Sequence, residues 1–95
     1  MFIFKLSYQQ SLDEVEKHLP EHRNYLDKYY ALGHFVASGP QEPRTGGIIL
    51  CRASSKEQAL DIMRADPFYL HQIAKYEITE FTPTKYAIGF DPFIK

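Results

Sequence analysis

Two side chains in this 95-residue chain are able to move protons and are also placed to meet: His22, and Asp66 at the head of Asp66-Pro67-Phe68. A neutral imidazole takes a proton from carbon or oxygen near neutral pH. A carboxylate accepting a hydrogen bond from the other ring nitrogen fixes the tautomer and favours the imidazolium that forms. The competing reading is plainer. Asp66 then merely opens an Asp-Pro turn, and His22 is a satisfied, half-buried histidine.

The elements around the pair decide between these readings. Met1–Tyr8 alternates as a strand, with Phe2, Phe4, Leu6 and Tyr8 on one face and Ile3, Lys5 and Ser7 on the other. Ser11 and Glu14 form a capping box, and a helical pattern follows through Leu12, Val15 and Leu19. Pro20 predicts a break near Leu19–Pro20, with a second segment over 21–32 and Gly33 as its stop; a single kinked helix is the alternative. His34–Ser38 and Ile48–Ala53 read as strands joined by a breaker-rich loop over 39–47. Ser54 and Glu57 set a second capping box, and the helix it opens is expected to end at Asp66 before Pro67. Phe68–Lys75 reads as irregular or a short helical turn, and Tyr76–Phe81 as the last strand.

Strand, helix, strand, strand, helix, strand is the βαββαβ pattern of a ferredoxin-like α+β fold, an antiparallel sheet with both helices on one face. The two helices run antiparallel in that topology. His22 continues the inward stripe with Tyr25, Leu26 and Tyr29, and Asp66 continues the stripe of Ile62 and Met63. Both therefore fall at one end of the molecule, facing the same sheet. As a helix C-terminal residue, Asp66 would oppose the dipole by about 0.3–1 kcal/mol, which calls for a partner such as an imidazole. Tyr25, one turn from His22, is placed to line a pocket or simply to fill core. Ser38 ends a strand at the Gly39-Pro40 turn, where its hydroxyl meets a substrate oxygen or serves ordinary turn chemistry.

Composition narrows the classes. Eleven basic and twelve acidic residues give a net charge of −1, and with no basic stripe nucleic-acid binding is not expected. The single cysteine, Cys51, precludes an intrachain disulfide and fits a reducing, cytoplasmic setting; it reads as a buried, inert thiol. The apolar start carries Lys5 and is too short for a signal peptide or a membrane span. With 44% hydrophobic and 15% aromatic residues, the chain has more apolar surface than one small core consumes. Apolar residues on both strand faces predict a homodimer, sheet against sheet, as a dimeric α+β barrel. The tail over 83–95, with Tyr86, Ile88, Phe90 and Phe93, is too apolar to hang free and is expected to pack on a neighbouring subunit.

His22, Ser38-Gly39-Pro40, a glycine-bearing strand pair, and Asp66-Pro67-Phe68 after a Ser-capped helix together resemble the YciI-like proteins over residues 1–82. The resemblance implies the dimeric α+β barrel fold and a His22–Asp66 dyad in a cleft beside the sheet. Ser38, Gly39, Pro40, Tyr25, Pro67 and Phe68 are the expected substrate-binding surroundings of that dyad. It implies chemistry like loss of HCl from a chlorinated hydroxyhydroquinone, without metal or organic cofactor. The expectation is thus a small cofactor-independent lyase or isomerase acting on a small cyclic or enolisable molecule. The alternative is a non-catalytic module of the same fold that binds a metabolite or a protein. One departure stands out: family members often carry Arg three residues before the histidine, where this chain has Leu19. Arg23 points about 100° away from His22 on a helix and is a poor substitute.

Other histidines carry less. His18 and His22 have i, i+4 spacing, but Pro20 lies between them and no third metal ligand is obvious, so no metal site is expected. His34 and His71 read as isolated surface or packing residues. Gly46-Gly47 lacks the lysine and the following helix of a phosphate loop.

Overall fold

A computed structural model describes residues 1–94; of the tail expected to pack on a neighbour, Lys95 lies outside them. Four strands, β1 (Phe2–Tyr8), β2 (Phe35–Pro40), β3 (Gly46–Cys51) and β4 (Ala74–Glu80), form an antiparallel sheet in the order β2-β3-β1-β4. Three helices, α1 (Leu12–Ala31), α2 (Lys56–Arg64) and α3 (Pro67–Leu70), complete the α+β pattern read from the sequence.

The sheet has one packed face. Phe4 pairs with Ile49 and Ile78, and Leu6 with Gly47 and Tyr76. These inward positions meet Val15 and Tyr25 of α1 and Ala59, Ile62 and Met63 of α2 in one core. The opposite face carries Ile3 beside Leu50 and Thr79, then Lys5 beside Ile48 and Glu77. Gly46 permits the close approach of β3 to β1, since a Cβ there would lie 1.7 Å from the Leu6 carbonyl oxygen.

Three local expectations are corrected. First, α1 runs unbroken through Pro20. The ring removes one hydrogen bond, to the Glu16 carbonyl, but Pro20 is on the exposed side, where water can replace the donor. The inward stripe of Val15, His22 and Tyr25 stays in register across it. Gly33, at φ +83°, follows the helix end in a conformation that favours glycine. Second, the strands reach into the expected 39–47 loop: Gly39 pairs with Ile48, and Pro40 with Gly47. β2 is an edge strand, so Pro40's missing N–H costs no interior ladder bond. Third, α2 ends at Arg64, not Asp66. Asp66 is extended (φ −69°, ψ 127°) and is the N-cap of α3. The dipole at that end favours a carboxylate, which reverses the sign of the sequence argument.

Beyond β4 the chain forms one 3₁₀ turn at Asp91–Phe93, with Ile88 and Tyr86 exposed. No described helix is long and apolar enough to cross a membrane.

Candidate active site

Asp66 is fully buried and accepts three hydrogen bonds. As N-cap it takes the Phe68 backbone N–H on Oδ1 at 2.9 Å. His22 Nδ1, brought in by the middle of α1, lies 2.8 Å from the same oxygen. The Tyr76 hydroxyl, from β4, donates to Oδ2. A buried carboxylate is tolerable only when its lone pairs are met by donors, and here three separate elements supply them. An acceptor on the Nδ1 side places the proton on Nδ1 and leaves Nε2 as the acceptor.

The imidazole is held as firmly as the carboxylate. The Phe68 ring stacks on it at 4.0 Å between centroids, with 3° between planes. His22 retains only 9% exposure, and what remains opens into a cleft of about 420 Å³ between α1 and the sheet. That volume is in the usual range for small-molecule sites. Ser38, Gly39 and Pro40 from β2 form one wall, and Leu6, Ile49 and Phe68 contribute apolar surface.

The structure thus brings His22, Asp66, Phe68, Ser38, Gly39 and Pro40 into one place, with Asp66 behind the imidazole. Ser38 is inside β2 and is not at its end; its Oγ is 2.7 Å from the Tyr30 hydroxyl. Tyr25 and Pro67 are not part of the cleft wall. Tyr25 is buried beneath His22 and donates its hydroxyl to the Ile62 carbonyl at 2.7 Å. Burial, with Asp66 adding its charge, holds the Tyr25 hydroxyl well above the ordinary tyrosine range. Pro67 serves as the first residue of α3, where its fixed φ suits the helix start.

Four polar or charged side chains line the cleft without having been expected there: Arg44, Glu16, Tyr8 and Arg23. Arg44 projects from the β2–β3 connection to Glu16 of α1 at 2.8 Å. Arg23 was expected to point away, yet it lines the same cleft. A 100° step is not enough to remove a long, flexible side chain from a wide opening. The family departure at Leu19 is also on this wall, so apolar surface stands there.

Two further histidines are placed. His34 donates its Nδ1–H to the Arg52 carbonyl at 2.8 Å, so it is a packing residue. His71 is not isolated: its ring stacks on His18 at 4.5 Å, and its Nε2 is 3.7 Å from Glu21.

A family comparison fits this frame, matching the YCII-related domain over residues 1–82. The chain belongs to the YCII-related domain family. Among solved YCII-like folds, a 5-chloro-2-hydroxyhydroquinone dehydrochlorinase from Burkholderia phenoliruptrix AC1100, in complex with 2,5-dihydroxybenzoquinone, superposes with a TM-score of 0.71. The similarity covers 85% of this chain and 93% of that one at 17% identity, which establishes a common fold. No curated protein matches the sequence.

Proposed function

We propose that this YCII-related protein is a cofactor-independent lyase or isomerase in which His22 moves the proton and Asp66 orients it. The observation that carries the reading is the 2.8 Å contact of His22 Nδ1 with a fully buried Asp66, at the wall of a ligand-sized cleft. With Nδ1–H donated to Asp66, the Nε2 lone pair takes a proton from a substrate carbon or hydroxyl. Asp66 stabilises the imidazolium. In an isomerisation the imidazolium returns the proton to another atom of the enolate. In an elimination the electrons of the broken C–H or O–H bond form the new double bond, and the leaving group departs as an anion. The solved dehydrochlorinase makes small chlorinated or hydroxylated rings the first substrates to try.

Ser38, Gly39 and Pro40 position the ring in this reading, against Phe68. The open sheet face with Ile3, Ile48 and Leu50 supports a homodimer, and the exposed Tyr86 and Ile88 support packing of the tail on the partner; light scattering at micromolar concentration checks both in full-length and 1–82 chains.

The deciding experiment is proton NMR in D2O with a panel of hydroxyquinones, chlorohydroquinones and enolisable carbonyl compounds. Solvent deuterium entering a substrate carbon, or loss of chloride, with wild type but not His22→Gln is the expected result. Leu19 on the cleft wall favours a second reading, a module that binds a metabolite without turning it over. A ligand retained in native mass spectrometry, with no exchange and no product, would establish that reading instead.

A further inference from the structure

A second cluster of ligating side chains lies one turn along α1 from the dyad and is independent of the proposed activity. We propose that His18, Glu21 and His71 bind a divalent cation of the zinc type, bridging α1 to the end of α3. His18 and Glu21 are three residues apart on one face of α1, and His71 caps the C-terminus of α3. One ligand atom from each lies within 4.8 Å of the other two. Tetrahedral zinc, with bonds of about 2.0–2.2 Å, sets its donors about 3.3–3.6 Å apart. The His71 Nε2 to Glu21 Oε2 separation of 3.7 Å is already close to that.

Two imidazoles and a carboxylate are a ligand set that zinc uses with a fourth position left to water. The rings are stacked, 26° apart in plane, and two in-plane lone pairs from stacked rings converge on one ion only when one ring turns. His71 and Glu21 are free to do so, with side chains 49% and 58% exposed. His18 is the fixed member. Its Nδ1 is the one buried side-chain polar atom without a hydrogen-bond partner among the described residues. A ring packed only for shape would leave that atom as an unrecovered cost; coordination through the imidazole gives the ring a role that packing does not. The spacing of His18 and His22 was the wrong pair to consider, because His22 is committed to Asp66.

An ion here would brace the two segments that carry the dyad, since α1 holds His22 and α3 begins at Asp66. The test is isothermal titration of the apo full-length chain with ZnCl2 in a non-chelating buffer, and with CoCl2 followed by visible absorption. The expected result is one saturable site per chain, a tetrahedral cobalt spectrum, and a melting temperature raised by about 5–10 °C at saturating zinc. Binding should weaken at least tenfold in His71→Ala and in Glu21→Gln, both at exposed positions, and stay unchanged in His34→Ala. No saturable binding, or saturable binding that His71→Ala leaves intact, would overturn the proposal.

Discussion

Replacing Asp66 with Asn probes the dyad with almost no change in shape. The carboxylate now meets three donors: His22 Nδ1, the Phe68 N–H and the Tyr76 hydroxyl. An amide offers one acceptor oxygen and one donor nitrogen. If its oxygen keeps Phe68 and His22, its NH2 faces the Tyr76 hydroxyl, which must turn and accept. If it flips, NH2 faces His22 and forces the proton onto Nε2, the tautomer that cannot act as base toward the cleft. Either arrangement sacrifices at least one charge-assisted bond, each worth about 1.5–3 kcal/mol, while removing the buried charge returns part of that. A net loss of about 1–3 kcal/mol is expected, or about 4–8 °C in melting temperature per kcal/mol for a domain of this size. Turnover, in the proposed reaction, falls about 10²–10⁴-fold. Histidine 15N chemical shifts report the tautomer, and calorimetry reports the stability. A His22 signal identical in wild type and Asp66→Asn, with melting temperatures within 1 °C by about the error of the method, would show that the contact organises neither the ring nor the fold.

Two other outcomes follow from the same geometry. Tyr76→Phe leaves Asp66 Oδ2 without its donor in a buried setting, so it should cost about 1–3 kcal/mol in denaturant unfolding while keeping the Nδ1–H tautomer of His22. Alkaline titration should expose Cys51: burial pushes its thiol up to about 12, against 9.0 when unfolded. Between those values the unfolded chain has lost a proton that the folded chain keeps, so stability is full below pH 9 and falls as pH rises toward 12, by up to about 1.4 kcal/mol per pH unit from this group. Tyr25, also raised by burial, adds to the fall at the upper end. Urea unfolding at pH 8–11 should show a shallower decline in Cys51→Ala, and an identical slope would remove the thiol from the account.

Where local chemistry and tertiary packing agreed, the sequence was readable. Alternation in Phe2–Tyr8, the cap at Ser11, and breakers around Gly39–Gly47 located the elements, though the second cap falls on Ser55, which accepts from the Gln58 N–H, and not on Ser54, and strand and helix ends moved by a few residues. The inward stripe of α1 places His22 correctly, whereas Asp66 meets it from the turn after α2, as the cap of α3, and not from the stripe of Ile62 and Met63. Pro20 misled because its local cost is small beside the packing of a twenty-residue helix. Asp66 was assigned to the wrong helix: Asp-Pro ends one helix and caps the next with equal ease, and only the Phe68 N–H contact separates the two. Tyr25 shares its stripe with His22, yet burial depth along one stripe is invisible to periodicity. Arg44 and His71 lie outside regular elements, so no period could bring them to their partners on α1.

The site divides into a rigid part and an adjustable part. Each anchor of the base comes from a different segment: the α3 turn gives an N–H and the stacking ring, β4 gives the Tyr76 hydroxyl, and α1 gives the imidazole itself. Moving any one of these segments breaks contacts held by the others, so the dyad cannot drift without loosening the core. The cleft wall is built otherwise. Ser38, Gly39 and Pro40 lie exposed on an edge strand, and Arg44 extends from the connection beside it, held to Glu16 by a partly exposed ion pair of the kind worth about 0–1 kcal/mol. Substitutions on that wall cost little stability, whereas substitutions around Asp66 cost much. Under the proposed function, variation in substrate should therefore be found along β2 and its hairpin, with the His22–Asp66 pair unchanged behind it.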